Sequence, residues 1–162
     1  GETLIPIPRD YAELPQWVNS YFADRLFLHP RAVRAIKDAV FENVSLVYEA
    51  LKLLADAYWP MRANQEQEQR QILSSNWEEG IRHLRLEYNS HSIAQNRLGE
   101  FREAYTINYR IGQSSRQVLG RHLKFGSTKD DRYCMRIYFL WDDDRQLVVI
   151  GHLPSHLDTR AT

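Results

Sequence analysis

The stretch Arg132–Thr159, RYCMRIYFLWDDDRQLVVIGHLPSHLDT, restricts the fold more than any other part of this chain. Tyr133, Met135, Ile137, Phe139 and Trp141 alternate with Cys134, Arg136, Tyr138 and Leu140, the period of a strand with two different faces. Asp142-Asp143-Asp144 reads as an acidic turn, and Leu147-Val148-Val149-Ile150 as a returning, largely buried strand. The return strand ends in Gly151-His152-Leu153-Pro154-Ser155-His156, which brings two imidazoles and a hydroxyl to the end of a sheet.

Two more alternating segments precede this hairpin. Tyr105, Ile107, Tyr109 and Ile111 alternate with Thr106, Asn108 and Arg110, and Gly112-Gln113-Ser114 turns the chain. Leu119, Leu123 and Phe125 then alternate with Val118, Gly120, His122 and Lys124, before a second turn at Gly126–Asp131. Four strands on short connections predict an antiparallel meander over 102–159.

The first half has a helical period instead. Its opening residues, with Pro6 and Pro8, read as an extended lead-in. A helix starts either at Asp10, with Glu13 as its capping partner, or one turn later with Pro15 in its first turn. Pro30 opens a long helix: Val33, Ile36, Val40, Val44, Val47, Leu51, Leu54 and Tyr58 step by threes and fours, and Pro60 is expected to stop it after Trp59. That stripe reads as core, with a partner-binding seam as the other use. Asn64 with Gln67 caps a third helix carrying Leu73, Trp77, Ile81 and Leu84.

Between Glu87 and Gly99 both periods dissolve. YNSHSIAQNRLG reads as a loop, from which Tyr88, Ser90, His91, Ser92 or Arg97 could reach a site. The expected fold is α+β in a single domain, 1–162. A helical part, 1–87, is joined by loop 88–101 to the meander, and the N-terminal helices pack on one face of a four-stranded antiparallel sheet.

Alternation also sorts the strand side chains. One face would carry Tyr105, Ile107, Tyr109, Leu119, Leu123, Phe125, Met135, Ile137, Phe139 and Trp141 against the helices. The other collects Asn108, Arg110, His122, Lys124, Arg136, Tyr138 and His152, a cationic or titratable set without a carboxylate. Arginine and lysine hold phosphate oxygens and stabilise charge developing on them, and imidazole moves protons near neutrality. Such a face suits an RNA phosphodiester, where the 2′-hydroxyl is the nucleophile and no metal is required. A plain solvated sheet face carries similar residues.

Composition removes several classes. No apolar run approaches the roughly 20 residues that span a bilayer, and GETLIPIP has neither the basic start nor the apolar core of an export signal. A cytoplasmic protein without a membrane partner is expected. One cysteine, Cys134, excludes an internal disulfide framework and a cysteine zinc site, and in mid-strand it reads as packing. Net charge is zero, yet residues 82–162 are the basic half and hold most of the histidines. Pro154 spoils a His152/His156 metal pair, near which Asp158 is the carboxylate in reach. Ser155, His156 and Asp158 are too close in sequence to meet as a catalytic triad. Asp142–Asp144 reads as turn chemistry rather than a cation site. GSTKDD is too poor in glycine for a phosphate loop, and no cofactor is expected.

With a helical start, a meander, the arginine-bearing strand RIYFLWD and the return strand VVIGHL, residues 102–159 resemble the RelE-like toxin nucleases, a group of metal-independent ribonucleases. The resemblance implies that Arg136 contacts the scissile phosphate. It implies that His122 or Lys124, and His152 or His156, stand where such nucleases keep basic and acid/base groups. Lys124 and Arg110 would then hold flanking phosphates, Tyr138 would stack a base or donate a hydrogen bond, and the partners would be RNA and an antitoxin or other protein. The chain is longer than such toxins and lacks a basic tail ending in tyrosine. The alternative is a non-catalytic nucleic-acid- or protein-binding module of a larger bacterial protein.

Overall fold

The structure, a computed structural model, describes residues 4–64, 66–93 and 95–157. Asp158 and Thr159, and the side chains of Gln67 and Arg97, lie outside what is described.

Helix α1 (Leu14–Phe22) begins at the later of the two expected starts, with Pro15 in its first turn. Asp10 instead accepts a bond from the Glu13 amide in the turn before it, at 3.2 Å. Leu14, Trp17, Val18 and Phe22 form its buried face.

The long helix expected from Pro30 to Trp59 is several pieces. Helix α2 (Pro30–Ile36) stops, the chain leaves helical geometry, and α3 (Val44–Leu53) restarts under a cap, Asn43 Oδ1 accepting from the Leu46 amide at 3.3 Å. Two causes favour the break: asparagine is a strong capping residue, and Phe41 turns inward to 3% exposure against Phe125. Val40, expected on the stripe, is consequently 54% exposed. Nor does Pro60 end the run. A π-helical turn, Leu54–Tyr58, inserts an extra residue, and α4 (Trp59–Ala63) follows with Pro60 in its first turn, where a missing N–H costs little. Helix α5 (Gln67–His83) completes the helical layer, its Trp77 wedged edge-on against Tyr58.

The sheet differs from the expected four-stranded antiparallel meander. It has five strands in the order β1 (Leu26–Leu28), β7 (Leu147–His152), β6 (Met135–Asp142), β5 (Arg121–Phe125), β2 (Glu87–Asn89). β1 runs parallel to β7, and the other pairs are antiparallel. Both edge strands come from outside the expected meander and are three residues long, too short to display a period. The segment read as loop 88–101 therefore holds the end of β2 and most of helix α6 (Gln95–Tyr105), which kinks at Phe101.

The segment read as the first meander strand forms a separate ribbon, β3 (Thr106–Ile111) with β4 (Ser114–Val118). The chain passes from this ribbon into the main sheet at Leu119–Gly120, so the stretch expected as one strand, 118–125, belongs to two sheets.

This division gives the main sheet cover on both sides. On the helical side Leu123, Met135, Ile137, Phe139, Val148 and Ile150 are fully buried. A buried side chain of this size contributes roughly 1.5–3 kcal/mol. On the opposite side Tyr138, Leu140 and Val149 pack under Tyr105, Ile107, Leu119 and Leu157, with Tyr109 beside them. Tyr105, Ile107, Tyr109 and Leu119, expected to face the helices, thus lie across the sheet from them.

Polar clamps hold the ribbon down. His29 donates from Nε2 to the Asn108 carbonyl at 2.8 Å, because its Nδ1 accepts from the Arg31 amide as the cap of α2. Arg31 donates to the Thr106 carbonyl at 2.9 Å and also to that of Ala104. At the far end Asp142, fully buried, accepts from Tyr109 Oη at 2.5 Å, Arg145 Nη1 at 3.0 Å and the Asp144 and Arg145 amides. The acidic turn is therefore occupied by donors from its own chain. Burial pushes the Asp142 carboxyl up, but these bonds outweigh it and hold the group below the usual carboxylate range.

Candidate cationic cleft

Strand register writes two cross-strand rows on the ribbon side. Asn89 pairs with His122, His122 with Tyr138, and Tyr138 with His152. One pair further along, Glu87 meets Lys124 and Lys124 meets Arg136, whose amide donates to the Pro154 carbonyl at 2.8 Å.

His152 joins its row through a bulge. Tyr138 pairs with His152 but Phe139 with Ile150, leaving Gly151 as the extra residue. Without that insertion, His152 would follow Val148 and Ile150 to the helical face. Packing favours glycine there: a Cβ on Gly151 would stand 2.3 Å from Leu119 Cδ2, so any larger residue has to displace the buried Leu119 side chain.

Beyond the ribbon's edge the rows open into a cleft of about 500 Å³. His122, Lys124, Arg136 and Tyr138 line it from β5 and β6. Glu87, Tyr88 and Asn89 line it from β2, with Ser92 and His156 on flanking segments. Arg136, 7% exposed, is oriented through Nη1, which donates to the carbonyls of Met135 at 3.0 Å, Gly126 at 3.3 Å and Phe125 at 3.5 Å. The turn that aims two of these carbonyls needs glycine, since Gly126 has φ +77° and an added Cβ would lie 2.8 Å from the Tyr133 carbonyl. Lys124 Nζ lies 3.7 Å from Glu87 Oε2, a pair with a half-exposed lysine and an exposed carboxylate, of small energetic weight.

Two of the imidazoles, those of His122 and His152, are held uncharged. His122 is 9% exposed, with Nδ1 3.2 Å from Ser92 Oγ. Burial, then Arg136, His156 and Lys124, lower its pKa to about 4. His152 lies 2.9 Å through Nε2 from Ser155 Oγ and is likewise lowered to about 4, by burial first and then by Arg31. Both are therefore neutral bases at pH 7. Tyr138 is the hub between them: His122, His152 and His156 surround its ring at 5.3, 6.0 and 6.4 Å between centroids. It is 1% exposed, and its hydroxyl accepts from the Leu157 amide at 3.1 Å. Burial raises its pKa.

Of the seven side chains expected to share a wet face, four line the cleft, His122, Lys124, Arg136 and Tyr138, and His156, a candidate from the resemblance, joins them. His152 lies behind Tyr138 rather than on the lining, and Tyr138 is packed rather than open. Arg110 is separate. It is exposed on the ribbon, with Nη1 donating to the Gln113 carbonyl, because its strand never joins the main sheet. Of the loop candidates, Tyr88 and Ser92 reach the cleft, whereas Ser90 and His91 pair with each other. Glu87 and Asn89 were not anticipated. Cys134 is a buried thiol, as expected, but it lies just before β6 rather than in mid-strand.

Among the described residues no group of three or more His, Cys, Asp or Glu side chains is arranged to hold a metal ion, and no helix is long and apolar enough to cross a membrane. Comparison with family models, with curated proteins and with solved structures gives no match to the chain.

Proposed function

We propose that the cleft binds RNA and cleaves it without a metal ion, the chemistry that the RelE-like resemblance implies. One observation carries this reading: Arg136, Lys124, His122 and His156 line a single cleft. Arg136 and Lys124 hold the phosphate oxygens and stabilise the charge that builds on them. Neutral His122 takes the proton of the 2′-hydroxyl as its oxygen attacks phosphorus. The bond from phosphorus to the 5′-oxygen breaks, His156 supplies the proton that the leaving oxygen needs, and a 2′,3′-cyclic phosphate results. His152 and Tyr138 act from behind, fixing the imidazoles, and Arg110 plays no part at the cleft.

The uncharged state of His122 and His152 favours a second reading. Neither is poised to donate a proton at pH 7, which suits a module that binds nucleic acid without cutting it. Incubation with RNA in chelator separates the two. Cleavage by the native chain, reduced roughly a hundredfold or more in His122→Asn and Arg136→Ala chains of unchanged circular dichroism, is the expected result. Salt-sensitive binding without cleavage would leave the second reading. Cleavage unaffected by either substitution would overturn the assignment of the cleft.

A further inference from the structure

His122 stands at the centre of the cleft's charges. Lys124 follows it on β5, Arg136 and Tyr138 face it from β6, Glu87 and Asn89 from β2, and His156 from the chain after β7, with His152 behind Tyr138. Glu87 is the acidic residue of the lining, and its carboxylate is directed to Lys124. Leaving aside the titratable imidazoles His122 and His156, the charges at the cleft thus amount to two cations partly offset by one carboxylate.

Burial first, and the neighbouring cations second, keep a proton off His122; an anion between Lys124 and Arg136 offsets the second effect and attracts a proton. A phosphodiester brings one negative charge, which the fixed groups already balance. A terminal phosphate brings −1.5 to −2 at pH 7. The excess calls for another cation, and His122 is the buried group next to both phosphate-holding side chains.

We infer that the cleft accommodates a terminal phosphomonoester, such as the 3′-phosphate left once water has opened a 2′,3′-cyclic end, together with one proton taken up by His122. The inference rests on the reading of the cleft as an RNA site. The balance is simple: the imidazole gains one proton, the phosphate is held as its dianion, any proton on the monoanionic fraction counts against the uptake from solvent, and no covalent bond changes. An imidazole that is neutral in the unliganded protein has the capacity for this uptake.

Calorimetry at pH 7 in buffers of different ionisation enthalpy tests it, with three probes: a short RNA ending in a 3′-phosphate, the same RNA ending in a 3′-hydroxyl, and inorganic phosphate. The phosphorylated RNA is expected to bind roughly tenfold or more tightly than its hydroxyl counterpart, with uptake of about one proton per site. Its affinity should fall by up to about tenfold per pH unit from pH 7 to 8. In His122→Asn, which keeps a polar group towards Ser92, the uptake should vanish. Lys124→Gln, at a half-exposed position, should weaken binding while leaving uptake by the bound fraction unchanged. Inorganic phosphate taken up with the same proton also supports the inference and assigns recognition to the phosphate alone.

Equal affinity for the two RNAs, no proton uptake by the native chain, or uptake that persists in His122→Asn overturns the inference. Cleavage of internal bonds without preference for a phosphorylated end would leave the nuclease reading standing and remove this one. Proton-coupled binding of the end without cleavage would do the reverse.

Discussion

The two sides of β6 are buried by different means. Towards the helices, Met135, Ile137 and Phe139 are each 0% exposed among hydrocarbon and aromatic rings. Towards the ribbon, Arg136, Tyr138 and Leu140 are 7%, 1% and 7% exposed. Leu140 has apolar cover, Tyr138 is half surrounded by imidazoles, and Arg136 is satisfied by carbonyls beside an open cleft. One side is a continuous core. The other grades within three alternate residues from core to site, because the ribbon covers part of the sheet and stops. A polar residue on a strand can therefore be almost inaccessible and still border an open cleft.

The largest expected difference is in stability. Phe139→Ala should cost about 3–5 kcal/mol by removing a ring packed against Tyr58 and Tyr88. Leu140→Ala, beneath a two-stranded ribbon that can settle, should cost about 2–3 kcal/mol. Urea unfolding measures both, and equal losses would break the distinction between the two sides.

Acid should act on the ribbon side. His122 and His152 have folded values near 4 against 6.5 in a model peptide, so the unfolded chain binds their protons first. Their contribution is fully present above pH 6.5 and is lost as pH falls towards 4, by up to roughly 3 kcal/mol per histidine. Unfolding midpoints between pH 7 and 4.5 should show this slope, and His122→Asn should remove part of it. An unchanged slope would mean that the ring is not buried neutral.

Gly151→Ala is a smaller perturbation aimed at the bulge. Its methyl would press on Leu119, costing about 1–3 kcal/mol and disturbing the row that contains His152. Smallest of all are the surface cations. Lys124→Ala and Arg110→Ala should each change stability by less than about 0.5 kcal/mol. Lys124→Ala should weaken RNA binding about three- to tenfold and lower its salt dependence, whereas Arg110→Ala should leave both within about twofold. Equal effects on binding would place the RNA on the ribbon as well as in the cleft.

Alternation and apolar spacing by themselves determined a good deal of this. They fixed the β6–β7 hairpin, a helical first half, the burial of Met135, Ile137 and Phe139, and the shared side of His122, Lys124, Arg136 and Tyr138. These follow from local geometry, since neighbours on a strand must face opposite ways. The tertiary structure decided the rest. Three-residue edge strands carry no period, so β1 and β2 take their identity from the strands they pair with. The break before Asn43 depends on Phe41 finding Phe125, and the passage of Leu119–Gly120 between two sheets depends on what the ribbon must cover. The bulge at Gly151 arises where Leu119 leaves no room for a side chain. Each of these depends on contact between segments distant in sequence, which period and propensity within a single segment cannot express.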